Sequence, residues 1–179
     1  MARQRDLDVL KLESYIRSIP DFPQPGVMFR DLTPLLGDAC ALRAAIGALA
    51  APYRDARVDV VAGMEARGFI FGALVAWQLG AGFVPLRKPG KLPAAVEAVT
   101  YDLEYGTATL EVHRDALGPG HRVLLVDDVL ATGGTAAASI DLVTRLGAEL
   151  VGCAFLIELV ALAGRERLAG QAIHAVLRL

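Results

Sequence analysis

The sequence predicts an α/β protein: a mostly parallel sheet flanked by helices. Two observations carry this. Residues 58–79 and 123–146 each run from a short apolar stretch through a polar, small-residue turn into an apolar helical pattern, and strands go on alternating with helices to the end of the chain. Strands separated by helices join a sheet in parallel through crossovers that cover its faces. A chain of 179 residues that is 54% hydrophobic suits one domain over 1–179 with one core.

Taken in order, residues 7–19 place apolar side chains at largely helical spacing before Pro20, predicting a helix. Residues 21–31 carry Pro23, Pro25 and Gly26, which enforce an ordered, irregular path and deliver Val27, Met28, Phe29 and Arg30 at fixed positions. That path reads equally as a connector or as a lid over an aromatic ligand. Asp38 suits the N-cap of a helix closed at Pro52. Residues 58–62 read as a buried strand, and Gly63-Met64-Glu65-Ala66-Arg67-Gly68 turns it into a buried helix over 69–79. Glycines on both sides of Glu65, Ala66 and Arg67 suggest close backbone approach to an anion, with Arg67 supplying charge. After a strand at 83–86, Arg87, Lys88 and Lys91 stand among prolines and a glycine, predicting a mobile basic loop. Alone, such a run is ordinary solvated charge; beside a polyanion site it is a closing lid. Residues 101–105 and 107–113 alternate around Gly106 as a hairpin would, placing Glu104 near its turn. Glu104 is a surface acid, or a proton donor and acceptor if the hairpin caps a site.

The most informative stretch is Val-Leu-Leu-Val-Asp-Asp-Val-Leu-Ala-Thr-Gly-Gly-Thr at 123–135. Its strand, residues 123–126, is expected to stop at Asp127 and Asp128. Neighbouring strand residues face opposite ways, so the acids converge on one ligand only if the chain bends there. Two carboxylates about 4 Å apart repel by about 4 kcal/mol at an effective dielectric of about 20, which hydroxyl donors or a cation would offset. Ala131, Thr132, Gly133, Gly134 and Thr135 then offer backbone N–H groups, two hydroxyls and a helix N-terminus, a cradle for phosphate. Hydroxyls beside a phosphate describe a phosphorylated sugar. The loop has neither the lysine of an NTPase loop nor the spacing of a dinucleotide-binding one. Beyond it come a helix ended by Gly147, a strand over 150–159, a helix over 162–168 and a short last strand.

The remaining features exclude function classes. A formal net charge of −2 without a basic block gives no drive toward nucleic acid. Cys40 and Cys153, and His113, His121 and His174, are dispersed without metal-ligand spacing, so no protein metal site is expected and the thiols are expected free. Residues 69–86 reach spanning length, but Gly80, Gly82 and Pro85 break them into helix and strand, so no membrane span is expected. The first residues lack the apolar core of a signal peptide, which points to the cytoplasm.

Together, Phe22-Pro23-Gln24-Pro25-Gly26, Gly63 to Phe69, Arg87 to Pro93, Tyr101 to Gly106 and the Asp127 to Thr135 block resemble the type I phosphoribosyltransferases, and the lysine-containing loop followed by Leu103-Glu104-Tyr105-Gly106 is similar to the branch that acts on adenine. The resemblance covers nearly the whole chain. It implies the type I phosphoribosyltransferase fold with a small hood and a flexible β-hairpin loop. It also implies conversion of adenine and phosphoribosyl pyrophosphate to AMP and pyrophosphate, with Mg²⁺ bound mainly through phosphoribosyl pyrophosphate, in a cytoplasmic homodimer. By resemblance, Asp127 and Asp128 hold ribose hydroxyls and Ala131 to Thr135 the 5-phosphate. Arg67 and Lys91 take pyrophosphate, with Arg87 reaching it from the partner subunit; Lys88, Glu65, Ala66 and Tyr105 join the substrate-binding set. Val27, Met28, Arg30 and Leu159 surround adenine, and Glu104 transfers the proton. The alternatives are a phosphoribosyltransferase for hypoxanthine, guanine or xanthine, and a non-catalytic phosphoribosyl pyrophosphate sensor.

Overall fold

A computed structural model describes residues 9–102 and 106–179, which divide into two compact units, Met1–Ala48 and Leu49–Leu179. The first opens with a short helix, α1 (Val9–Leu12), one 3-10 turn, and strand β1 (Arg17–Ile19), antiparallel to β2 (Phe29–Asp31). The helix expected over 7–19 therefore ends early. Ile19 precedes Pro20, a position where helical backbone is disfavoured, and β2 supplies the hydrogen bonds instead. Between the strands the path is ordered and irregular: Asp21 Oδ1 accepts from Gly26 N at 2.7 Å, Gly26 has φ +86°, and the Phe22–Pro23 bond is cis. Asp31 captures the Thr33 amide and hydroxyl, both at 2.9 Å, and starts α2 (Thr33–Gly37). Asp38 Oδ1 accepts from Cys40 N and Ala41 N at 2.9 and 2.8 Å, the expected N-cap of α3 (Ala39–Ala50).

The second unit is built on five parallel strands. β3 (Val60–Met64) leads through a turn to α4 (Gly68–Leu79) and β4 (Gly82–Leu86). A two-stranded antiparallel hairpin follows, β5 (Val96–Asp102) and β6 (Thr107–His113), in register from Val96↔His113 to Asp102↔Thr107. Then come β7 (Arg122–Leu130), α5 (Gly134–Arg145), β8 (Glu149–Glu158), a 3-10 turn, α6 (Gly164–Arg167) and β9 (Ile173–Arg178). The sheet order is β4-β3-β7-β8-β9, with every neighbouring pair parallel. All of β3 and residues 123–126 of β7 are buried, as sheets covered on both faces require. From the adjacent β3 and β7 the crossovers leave in opposite directions, so the carboxyl ends of these two strands flank the topological switch point.

One sheet face, carrying Ala62, Met64, Val123, Leu125, Cys153 and Phe155, packs with Leu142 and Val143 of α5 and with Val99, Leu110 and Val112 of the hairpin. Gly63 alternates to the other face, where α4 lies very close: a β-carbon on Gly63 would sit 2.8 Å from Gly68 O, and one on Gly72 would sit 3.3 Å from the Gly63 Cα. The helix expected to be wholly buried is buried only along Gly68, Phe71, Gly72, Val75 and Ala76, and Ile70 and Trp77 are 41% and 83% exposed. Helix and strand do separate near Gly80, which caps α4 at φ +68°. Among the described residues no helix is long and apolar enough to cross a membrane.

Candidate active site

β7 does not stop at its acids. Asp127 pairs with Phe155, Val129 with Ile157 and Leu130 with Glu158, because ladder hydrogen bonding to β8 is indifferent to side-chain polarity. The expected bend at a strand end is therefore replaced by ordinary alternation, and the two acids take different jobs. Asp127 lines a cleft of about 70 Å³ whose other lining residues are 129–136, Met64 and Phe155. Asp128 is 5% exposed and faces Arg67, whose Nε lies 2.6 Å from its Oδ2. Asp128 N donates to Asp127 Oδ1 at 2.8 Å, tying the pair together. Burial first, then the charge of Asp128, pushes the Asp127 carboxyl well above its ordinary range; burial also raises Asp128, against the pull of Arg67.

At the Gly63–Gly68 turn both glycines lie against neighbouring protein atoms. A β-carbon on Gly68 would sit 2.8 Å from Asp127 Oδ1 and 3.0 Å from Val126 O, so glycine lets the start of α4 rest on the acid of the neighbouring strand. Within this turn the Glu65–Ala66 bond is cis. Glu65 Oε2 accepts from Lys88 N at 2.9 Å and Arg87 Nε at 3.2 Å, and the Lys88 amide chiefly holds its carboxyl below the usual range.

Residues 131–135 form the loop and helix start expected of them. Gly133, at φ +79°, is the N-cap of α5, and no side chain caps that end. The first-turn N–H groups thus face the cleft without a capping side chain, at the positive end of a twelve-residue helix. Thr135 Oγ1 lies 3.0 Å from Tyr101 OH, so the hairpin is joined to the cradle by a hydroxyl pair the sequence did not single out.

The basic segment is an organised loop. Arg87 and Glu111 exchange backbone hydrogen bonds of 2.8 and 2.7 Å, Arg87 Nη1 donates to Lys91 O at 3.2 Å, and Gly90 N donates to Glu111 Oε2 at 3.1 Å. Arg87 also sits over the Phe69 ring, 5.8 Å from its centroid. Lys88 and Lys91 project into solvent. Glu65, Arg67, Arg87 and Lys88 are thus brought together beside the Asp127–Asp128 pair. Leu159 is half-buried just after β8, with its N–H on Leu130 O at 2.9 Å. Val27, Met28 and Arg30 belong to the first unit, where Met28 is 48% exposed and Arg30 donates to the Ser18 hydroxyl. Glu104 and Tyr105 lie outside the described residues. Sequence reasoning missed Met64 and Phe155 as cleft walls, since apolar strand residues look like any other core, and Gly164, which abuts the cradle from a distant turn.

A carboxylate and a helix start sharing one cleft at the switch point of a parallel sheet define an α/β protein of the ligand-binding, open-sheet class. The model of the phosphoribosyl transferase domain matches residues 36–171. The chain is 65% identical over 167 residues to adenine phosphoribosyltransferase of Methylococcus capsulatus, covering 93% of this chain and 98% of the relative. The crystal structure of the Rhodothermus marinus adenine phosphoribosyltransferase superposes with a TM-score of 0.92 at 55% identity, over 96% of this chain and 98% of that one. The Giardia lamblia enzyme, solved with 9-deazaadenine, gives 0.92 at 42% identity, over 97% and 98%. The chain belongs to the adenine phosphoribosyltransferase family.

Proposed function

We propose that the protein transfers the phosphoribosyl group of phosphoribosyl pyrophosphate to adenine, giving AMP and pyrophosphate. The observation that carries the reading is that Asp127 and residues 131–135 line one cleft. Relatives at high identity bear the adenine-specific name, and the Giardia protein holds an adenine analogue.

The 5-phosphate sits on the amides and hydroxyls of Ala131 to Thr135, and Asp127, which lines the cleft, accepts from the ribose hydroxyls, while Asp128, which faces Arg67, orients that guanidinium in place of the hydroxyl contact the resemblance implies. Arg67, Lys88 and Lys91 meet the pyrophosphate, with Arg87 reaching it from the partner subunit and Glu65 and Ala66 shaping the turn beneath. Val27, Met28, Arg30 and Leu159 enclose adenine, and Tyr105 accompanies Glu104, which manages the proton of the base. Displacement at C1 passes through an oxocarbenium-like state, as in glycoside chemistry, so the chain's work is positioning and electrostatics.

Among the described residues no group of three His, Cys, Asp or Glu side chains could hold a metal by itself. A buried acid pair with one member on Arg67 fits a Mg²⁺ carried mainly by the substrate's phosphates, which would neutralise the departing pyrophosphate. A homodimer is supported by Ile70 and Trp77, exposed apolar side chains on α4. Free Cys40 and Cys153 suit a reducing cytoplasm.

Pyrophosphate release measured with adenine, hypoxanthine and guanine tests the assignment. Turnover with adenine alone is expected; preference for an oxopurine would move the protein to another branch, and no release with any base would leave a binding protein.

A further inference from the structure

Against the backbone of the 131–135 loop lies the turn that follows β8. Glu158 ends β8 and is 3% exposed, and a carboxylate that deeply buried requires partners. Arg165 supplies a two-pronged one, Nε to Oε1 at 2.9 Å and Nη2 to Oε2 at 2.7 Å, while its Nη1 donates to Ile173 O at 3.2 Å. Arg178 Nε lies 3.3 Å from the same carboxylate. One guanidinium thus fixes the end of β8, the start of α6 and the start of β9 to one another.

The residue immediately before Arg165 is where this fixing acts. Gly164 is buried, and a β-carbon on it would overlap the carbonyl oxygen of Ala131 and lie 2.9 Å from Gly133 N. Reciprocally, a β-carbon on Gly133 would lie 2.5 Å from Gly164 O. Two stretches of backbone are therefore in direct contact, with no room for a side chain on either. Ala163 takes a left-handed conformation, φ +50°, which a non-glycine residue rarely adopts and which turns the chain into this contact. From the opposite side, Leu159 N binds the carbonyl of Leu130, the residue that precedes the cradle.

Donors that must converge on a phosphate work best when they are aimed before it arrives, because no reorganisation then accompanies binding. We propose that Gly164, locked by the Arg165–Glu158 pair, is a positioning element for the 131–135 loop: it sets affinity for the phosphoribosyl group without touching it. The proposal rests on reading that loop as the 5-phosphate site, and binding of ribose 5-phosphate to the unaltered protein tests that reading separately.

The experiment compares unaltered protein, Gly164→Ala, Arg165→Lys and Glu158→Gln, by calorimetric titration with ribose 5-phosphate and by steady-state kinetics in both substrates. Gly164→Ala is expected to weaken ribose 5-phosphate and raise KM for phosphoribosyl pyrophosphate by about tenfold or more, the equivalent of one charge-assisted hydrogen bond to the phosphate. KM for adenine is expected to stay within about twofold, because binding energy lost at the phosphate is not shared with the base. Arg165→Lys and Glu158→Gln should show the same selectivity in weaker form, and they decide the matter should Gly164→Ala not fold. Unchanged ribose 5-phosphate binding in the folded variants overturns the proposal, as does a parallel rise in both KM values accompanied by a fall in thermal stability, the mark of a merely structural contact. Failure of the unaltered protein to bind ribose 5-phosphate overturns the reading of the loop itself.

Discussion

Asp127 carries the sharpest conflict between stability and function in the molecule. Its carboxyl is raised because the folded protein disfavours the ionised form, so the stabilising contribution of the site is fully present below the ordinary value of 3.8 and is lost as pH rises through the raised value. Asp127→Asn removes that charge, and is expected to raise the melting temperature at pH 7 while lowering kcat about 10²–10³-fold, the scale found when one transition-state electrostatic partner is removed. Differential scanning calorimetry and turnover, measured on the same preparation, check both signs. Tyr101 offers a milder case: Tyr101→Phe deletes the hydroxyl pair with Thr135 at the mouth of the cradle. A loss of about 1 kcal/mol of stability is expected, with a higher KM for phosphoribosyl pyrophosphate, read by denaturant titration and kinetics. At this scale the sequence was informative where chemistry is written in adjacent residue types, as in Asp127-Asp128 and Gly133-Gly134. It was silent on Gly164, whose meaning lies in a backbone contact with residues more than thirty positions earlier.

Elements were legible where their signal is local. The N-cap at Asp38, the break near Gly80 and the helix beginning beside Thr135 all rest on short-range geometry, and all are present. Boundaries set by pairing with distant chain were not legible. β7 overruns its acids because β8 continues to pair with it, and residues 17–19 leave the helical pattern because β2 offers a partner. The turn after β8 has its own pH signature. Hydrogen bonds from Arg165 hold Glu158 below the ordinary value of 4.5, so its contribution is present above that value and is lost as pH falls through the depressed one. Thermal unfolding between pH 6 and pH 3, values chosen to bracket about 4.3 for a free glutamate, should show a flatter acid limb for Glu158→Gln than for the unaltered protein.

At the scale of the molecule, the parallel order β4-β3-β7-β8-β9 explains why the site residues come from two separated segments. Strand–turn–helix grammar appears twice in the sequence, and right-handed crossovers leaving in opposite directions bring the two turns side by side. Alternation of elements therefore predicted a parallel sheet, while strand order, which depends on which edge each crossover takes, had to come from the fold. The exposed face of α4 carries the prediction at this scale. On the proposed homodimer with α4 at its interface, Trp77→Glu, a charge placed where an apolar side chain stands 83% exposed, is expected to lower the sedimentation coefficient to that of a monomer without altering the helical circular dichroism; an unaltered protein that already sediments as a monomer overturns the proposal.

Trp77 is also the only tryptophan in the chain. Its indole is therefore a built-in spectroscopic reporter of the proposed homodimer: if α4 forms its interface, emission is expected to shift to longer wavelength on dilution, and an emission maximum independent of concentration would place Trp77 outside any interface. No label has to be introduced, and the same trace would follow assembly in real time.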